Sequence, residues 1–410
     1  MTAAATGHVV IVGAGLAGLS TAEALRAGGH SGLVTLIGAE AALPYDRPPL
    51  SKEVLRGERP STALRTEAWF AEQNIELLTG TTVTGIDPDR GVVELPDRQL
   101  SADVIVLATG GTPRELPAGV NTLPAGHAAV HQLRTADDCR RLSECMRPGQ
   151  RLVVVGAGLI GAEATACAVT RGCQVSMVAH RELPLAAAIG VEAAALLHHR
   201  HTTHGVAVHQ AGVTHISAAD DGTIRVGLST GRILAADALL VGIGIAADTA
   251  LAQSAGIAVD NGILVDARQR TSHQRVLAVG DACRRRGPDG QPMPRIEHWD
   301  HALRSGQTAA ATILGAPEQP SRAPWFWSDR YDIHLEMVGH LDPSAEAATR
   351  LHTDDALSVF YLRDGFCVAA VTVNQPLDTR AAQRLIDQHI AVTAAQLTDP
   401  AVSLRQLVRG

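Results

Sequence analysis

Two stretches of the chain carry glycine spacing suited to gripping a phosphate. In HVVIVGAGLAGLSTAEAL (8–25) and RLVVVGAGLIGAEATACA (151–168), three glycines follow a β-branched run as G-x-G-x-x-G. Gly13 and Gly156 turn the chain, Gly15 and Gly158 let backbone approach a pyrophosphate, and Gly18 and Gly161 let a helix close on its strand. Ala17 and Ile160 lie inside the same turns and count with them as candidate cofactor contacts. The phosphates would rest on the helix N-terminus, whose first amide groups have no intrahelical partner. One such motif is weak evidence, because glycine-rich turns recur by chance. Two copies, each following a strand and opening a helix, predict two nucleotide sites.

A second candidate is a single residue. PYDRPPLSKEV (44–54) contains Lys52, the only lysine among 35 basic residues. Its survival is either drift in an arginine-rich composition or a requirement for an ammonium group. Other reactive residue types offer less. The run His198, His199, His201 and His204 has no partnering cysteine or acid at metal-ligand spacing, so no metal site is expected. The six cysteines form no C-x-x-C pair and read as buried or incidental thiols.

Strands must present these residues. VTLIGAE (34–40) reads as the strand after the first glycine helix, ending near Glu40, an acid suited to ribose hydroxyls. DVIVLATGG (103–111) and RVLAVGDAC (275–283) read as strands whose ends carry Thr109 and Asp281, where ligands sit in open α/β sheets. Taken alone, Asp281 could instead cap a following helix. In the second unit CQVSMVAHRE (173–182) puts Ala179 where an acid would hold a ribose 2′-hydroxyl, and His180 and Arg181 follow. From about residue 320 the texture changes. SVFYLRDGFCVAAVTVN (358–374) predicts a hairpin around Arg363, Asp364 and Gly365, and TRAAQRLIDQHI (379–390) an amphipathic helix. PWFWSDRYD (324–332) concentrates Trp325, Phe326, Trp327 and Tyr331, either as a plug between domains or as a wall over a flat cofactor.

Composition bounds the rest. A chain of 410 residues, 46% hydrophobic with 39 glycines, predicts two or three soluble domains. Net charge of −7 gives no reason to expect nucleic acid as a partner. No run of 18 apolar residues is uninterrupted, so no membrane span is expected. The start, MTAAATGHVVIVG, lacks a basic region and runs straight into a strand, so no signal peptide is expected and the expected compartment is cytoplasmic.

Together GAGLAG (13–18), YDRPPLSK (45–52), LATGG (107–111), LRTADD (133–138), GAGLIGAE (156–163), VGIGIAADTALA (241–252), VGDAC (279–283), EHWDHA (297–302) and WFWSD (325–329) resemble one family. It is the FAD-dependent NAD(P)H:ferredoxin reductases of the putidaredoxin reductase, rubredoxin reductase and aromatic dioxygenase reductase type. The resemblance implies an α/β, glutathione-reductase-like fold with two Rossmann-type dinucleotide-binding domains and a small α+β C-terminal domain. Residues 1–112 and 244–319 would bind FAD, 113–243 NAD(P), and 320–410 would cover the flavin. Electrons would pass from NAD(P)H through FAD to an iron–sulfur protein serving a haem-thiolate monooxygenase or ring-hydroxylating dioxygenase.

By the same resemblance Arg134 lies near the FAD pyrophosphate, Val83 meets the adenine through its backbone, Asp281 takes a ribityl hydroxyl and Trp299 lies close to the isoalloxazine. Arg47 and Thr109 join that cofactor set. Lys52 would lie beside the flavin paired with Glu163, its charge stabilising the reduced cofactor while the carboxylate offsets the cost of burying it. Gly242 and Gly244 would leave room for the nicotinamide ring. Hydride would pass directly, so the chemistry needs position and electrostatics and no protein nucleophile.

Departures matter too. Where the family often has Asp after VTLIG, this chain has Ala39 with Glu40 adjacent, and the usual glutamine of WSDQYD is Arg330, placed near a docking surface or the cofactor. Arg284, Arg285 and Arg286 suit an acidic ferredoxin, or form a solvated loop. No cysteine falls between residues 19 and 138, which argues against disulfide reduction. Between the nicotinamides, Ala179 and Arg181 favour NADPH over NADH, against which Glu182 could turn back onto the ribose. The rival readings are an oxidase without a protein acceptor and an apoptosis-inducing-factor-like protein that senses redox state through partners.

Overall fold

The computed structural model describes residues 7–408 apart from 220, 319 and 321. The reading of the amino-terminal residues 1–6, and the boundary expected at 319, lie outside the described residues. The chain forms two compact units, one of Met1–Asp46, Ser61–Thr112 and Ile245–Pro320, the other of Arg47–Pro60, Pro113–Gly244 and Ser321–Gly410.

The first unit is built on a parallel sheet whose strands run, edge to edge, Val276–Ala278, Val104–Leu107, Val9–Val12, Val34–Ile37 and Ile75–Leu78. The first four are buried throughout, which is why they read as continuous apolar runs rather than alternating ones. Leu16–Ala27 follows the first strand and packs on the helix Trp299–Ile313. The approach is close: a Cβ on Gly306 would lie 2.5 Å from the Ala17 carbonyl oxygen. Asp281 does not cap a helix. Gly280–Ala282 is a single 3-10 turn leading into the strand Cys283–Arg285, so the capping reading of the sequence fails there.

The second unit repeats the pattern with strands ordered Ala207–Gln210, Gln174–Ala179, Arg151–Val155, Ala238–Val241 and Val130–His131, all parallel. Its glycine-turn helix is Leu159–Thr170. The same unit holds an antiparallel sheet ordered Trp325–Arg330, Ile333–Gly339, Phe366–Val373, Ala356–Arg363 and Glu346–Thr353. Asp364 (φ 54°) and Gly365 (φ 79°) make its central hairpin turn, two left-handed residues matching strand twist. The amphipathic helix runs over Pro376–Asp387, three residues earlier at each end than the pattern at 379–390 predicts. Pro376 presets the first helical turn, and His389 at φ 51° stands in the left-handed region just past the end. Leu385 and Ala382 of this helix bury one sheet face, and Ile189, Ala193 and Leu197 from 186–203 bury the other.

Candidate functional site

The two glycine turns have matching geometry. Gly13 (φ 114°) could not carry a Cβ, which would sit 2.1 Å from the Ala108 carbonyl oxygen; at Gly156 (φ 105°) the same atom would sit 2.2 Å from Gly242 O. Gly18 and Gly161 press on Gly13 O and Gly156 O, at 2.0 and 2.1 Å from a would-be Cβ. Gly15 and Gly158 are the exceptions: a Cβ there would meet nothing within 4 Å. Each also caps its helix without any side-chain hydrogen bond, and neither helix has an acid in its first turn. The clear space beside Gly15 and Gly158, at helix N-termini whose first amides have no intrahelical partner, fits the pyrophosphate of a dinucleotide.

Around the first turn the structure gathers part of the candidate set. Ala17 is buried in the helix, and its Cβ would lie 2.8 Å from a Cβ on Gly280, the residue before Asp281. The Asp281 carbonyl accepts from Arg295 at 2.9 Å. Glu40 Oε2 accepts from Tyr45 Oη at 2.5 Å, Thr109 Oγ1 donates to Asp248 O at 2.6 Å, and Trp299 Nε1 donates to Asp46 Oδ1 at 2.7 Å. Val83 is buried in the core of this unit. Arg47 and Arg134 belong to the second unit, where Arg47 Nη1 donates to Arg134 O at 2.6 Å.

Around the second turn, Ile160 is exposed at the start of its helix. Gly242 supplies the carbonyl against which Gly156 turns, and Gly244 at φ 96° requires a glycine. Ala179 is buried at the end of its strand, whereas His180 and Arg181 are exposed just beyond it. Arg181 has no hydrogen bond or ion pair among the described residues.

The lone lysine is buried, 7% exposed, and Glu163 2%. Lys52 Nζ donates to Glu163 Oε2 at 2.7 Å, as does Ser51 Oγ at 2.5 Å, while Ser328 Oγ donates to Oε1 at 2.7 Å. Nζ also stands 5.9 Å from the centroid of the Trp327 ring, which stacks on Trp325 at 4.9 Å. Both carboxylate oxygens thus accept from protein donors, two on Oε2 and one on Oε1. Neither serine was singled out in the sequence. The signal for Ser328 was its alternation with Arg330 on one face of a strand; for Ser51, only adjacency to Lys52.

Several expectations change. Arg330 is 4% exposed, so it presents nothing to a docking surface. Arg284 and Arg285 are not a solvated loop but part of a strand paired with Ile263–Val265. Arg284 is bonded to Asp260 and to Met293 O, and Arg286 is the exposed member. His201 is buried with Nδ1 3.0 Å from Tyr331 Oη, and His204 stacks on the same ring at 3.9 Å. Among the described residues no group of three His, Cys, Asp or Glu stands close enough to hold a metal ion. All six cysteines are free, and burial pushes the Cys139 thiol up to about 11 and those of Cys167 and Cys283 to about 12.

Residues 7–306 match the family described as pyridine nucleotide-disulphide oxidoreductase, and 325–408 match the family described as reductase C-terminal. The chain is 35% identical over 402 residues to rhodocoxin reductase of Rhodococcus erythropolis, covering 97% of this chain and 93% of that protein. It is 38% identical over 407 residues to the ferredoxin reductase component of chlorobenzene dioxygenase from a Cupriavidus species, covering 98% of each. The solved putidaredoxin reductase, in covalent complex with putidaredoxin, superposes with a TM-score of 0.93 at 35% identity over 98% of each chain. The chain therefore belongs to the pyridine nucleotide-disulphide oxidoreductases, in the branch of ferredoxin reductases with the reductase C-terminal domain. It is an oxidoreductase, and its family implies FAD and NAD(P)H as cofactors. No described helix is long and apolar enough to cross a membrane.

Proposed function

We propose that this protein passes electrons from NAD(P)H through FAD to a [2Fe–2S] ferredoxin or rubredoxin that serves a haem-thiolate monooxygenase or a ring-hydroxylating dioxygenase. The observation that carries this reading is the pair of open glycine cradles in a chain whose thiols are all free and, where shifted, held protonated. The two open cradles support two dinucleotide sites, and the raised pKa values of the buried thiols speak against a thiolate nucleophile.

FAD, when bound, accepts two electrons from a nicotinamide and releases them singly. Gly13, Gly15, Ala17 and Gly18 would hold its pyrophosphate, Glu40 and Val83 its adenosine end, and Thr109, Asp281 and Trp299 the remainder, with Arg47 and Arg134 adding positive charge. Gly156, Gly158, Ile160 and Gly161 would hold the nicotinamide dinucleotide, and Gly242 and Gly244 would leave space for its ring. The Lys52 ammonium stands in a water-poor setting at no reorganisation cost, because Ser51 and Ser328 already fix its partner Glu163. NADPH is favoured over NADH: Ala179 offers no acid to repel a 2′-phosphate, and the Arg181 guanidinium is exposed. The ferredoxin would be acidic, with Arg286 the accessible member of its docking arginines.

The test is rapid-mixing reduction by each nicotinamide, followed by cytochrome c reduction with and without added [2Fe–2S] ferredoxin. Turnover that depends on the ferredoxin supports the reading. Fast turnover with oxygen alone, or slow reduction with a long-lived charge-transfer complex, would refute it.

A further inference from the structure

The turn that carries Asp281 depends on side chains from elsewhere in the first unit. Gly280–Ala282 is a single 3-10 turn closed by the bond from Cys283 N to Gly280 O, and Gly280 and Ala282 are buried. The Gly280 N–H and the Asp281 C=O take no part in that bond, and an unpaired backbone group beside a core is costly. Side chains satisfy both. Gly280 N donates to Ser305 Oγ at 2.9 Å, and the Asp281 carbonyl accepts from Arg295 Nη1 at 2.9 Å.

Arg295 does more than cap one carbonyl. Its side chain is 5% exposed, although it lies on the irregular segment 293–298 that leads into the helix Trp299–Ile313. Nη2 meets Glu297 Oε1 at 2.5 Å and reaches Ile245 O at 3.4 Å. One guanidinium thus joins the Asp281 turn, the segment before the helix, and the first residue of the strand Ile245–Ala247. All three belong to the first unit. The rigid planar fork suits this task, whereas an ammonium on a flexible stem fixes no such geometry. The fold also leaves room for the side chain: Gly262, at φ 142°, would carry a Cβ only 3.1 Å from Arg295 Cδ.

We infer that Arg295 is a positioning residue for the FAD site. By holding the Asp281 carbonyl it fixes the backbone from which that side chain projects, which, on the reading above that Asp281 binds FAD, sets where the carboxylate meets the cofactor. Ser305 secures the other end of the same turn from the helix. A carboxylate on a backbone already locked loses less freedom when the cofactor arrives, so the gain appears as FAD affinity.

The experiment measures FAD release from the purified holoprotein on dilution, by flavin fluorescence, together with the visible circular dichroism of the bound flavin. Arg295→Met should raise the FAD Kd about tenfold, Arg295→Lys should fall between it and wild type, and both should alter the flavin dichroism. Asp281→Ala should weaken FAD by a similar factor. Adding Arg295→Met to it should cost less than about threefold more, because a residue that acts through Asp281 then has nothing left to position. Should Arg295→Met not fold, Arg295→Lys with and without Asp281→Ala supplies the same comparison. An FAD Kd within about twofold of wild type in the Arg295 variant, or losses that multiply in full in the double variant, overturns the role of Arg295 and leaves Asp281 a cofactor residue. Unchanged affinity in Asp281→Ala overturns the assignment of Asp281 itself, and the role of Arg295 with it.

Discussion

Neutralising Glu163 should destabilise the protein more than removing Lys52, and the order follows from what each change leaves behind. Glu163→Gln strands the buried Lys52 ammonium, which meets that carboxylate at 2.7 Å. Lys52 then loses its counter-charge and keeps at best neutral acceptors, a side-chain amide oxygen at 163 and Pro48 O at 3.4 Å, besides the Trp327 ring at 5.9 Å. Breaking a buried pair from one side costs about 3 to 5 kcal/mol, because a desolvated charge loses its partner. Lys52→Met leaves the Glu163 carboxylate with donors on both oxygens, Ser328 on Oε1 and Ser51 on Oε2, and with the Arg330 charge nearby. The expected cost there is about 1 to 3 kcal/mol, the range for a buried polar group that retains some partners. Because the two side chains meet at 2.7 Å, their effects should not add, and the double variant should recover at least about 1 kcal/mol of the summed losses. Urea unfolding of the FAD-loaded protein, followed by tryptophan fluorescence, measures all three. If both single variants lie within 1 kcal/mol of wild type, or if the losses simply add, the pair is not the coupled buried unit described above.

Three more outcomes are expected. Gly158→Val should fold normally, because a Cβ there meets nothing within 4 Å, yet it should weaken nicotinamide binding at least about tenfold and spare FAD; unchanged nicotinamide affinity would refute the cradle. Arg181→Ala should reduce kcat/KM for NADPH by about 10- to 100-fold while leaving NADH nearly unchanged, and a strong NADH preference indifferent to Arg181 would show that another group reads the ribose. Acid should unfold the second unit partly through His201, whose pKa burial depresses from 6.5 to about 3. Between those values the unfolded chain binds a proton that the folded one excludes, so stability falls as pH falls, by up to roughly 1.4 kcal/mol per pH unit. His201→Gln should flatten the urea midpoint against pH between about pH 6.5 and 3, and an unchanged slope would refute the assignment.

Legibility in the sequence tracked how local the physics was. The glycine turns could be read because each glycine answers a constraint within a few residues or at the adjoining strand end: Gly18 closes on Gly13, and Gly13 turns against Ala108. The hairpin at Asp364 and Gly365 was readable for the same reason. Lys52 stood out through its rarity, but the groups that fix it lie 111 residues on, at Glu163, and farther still, at Ser328. No periodicity connects those three positions. They converge because the helix Leu159–Thr170 packs on the strand Trp325–Arg330 within the second unit. Arg330 was visible as a departure from the family's glutamine, yet its burial was not, since an arginine in sequence reads as exposed by default. Asp281 misled in the opposite direction: an acid after a strand suits a helix cap, and only the chain path, a single turn and then another strand, excludes it. Turn chemistry is therefore written where it acts, whereas a buried charge such as that of Lys52 is specified by whatever the fold brings to it.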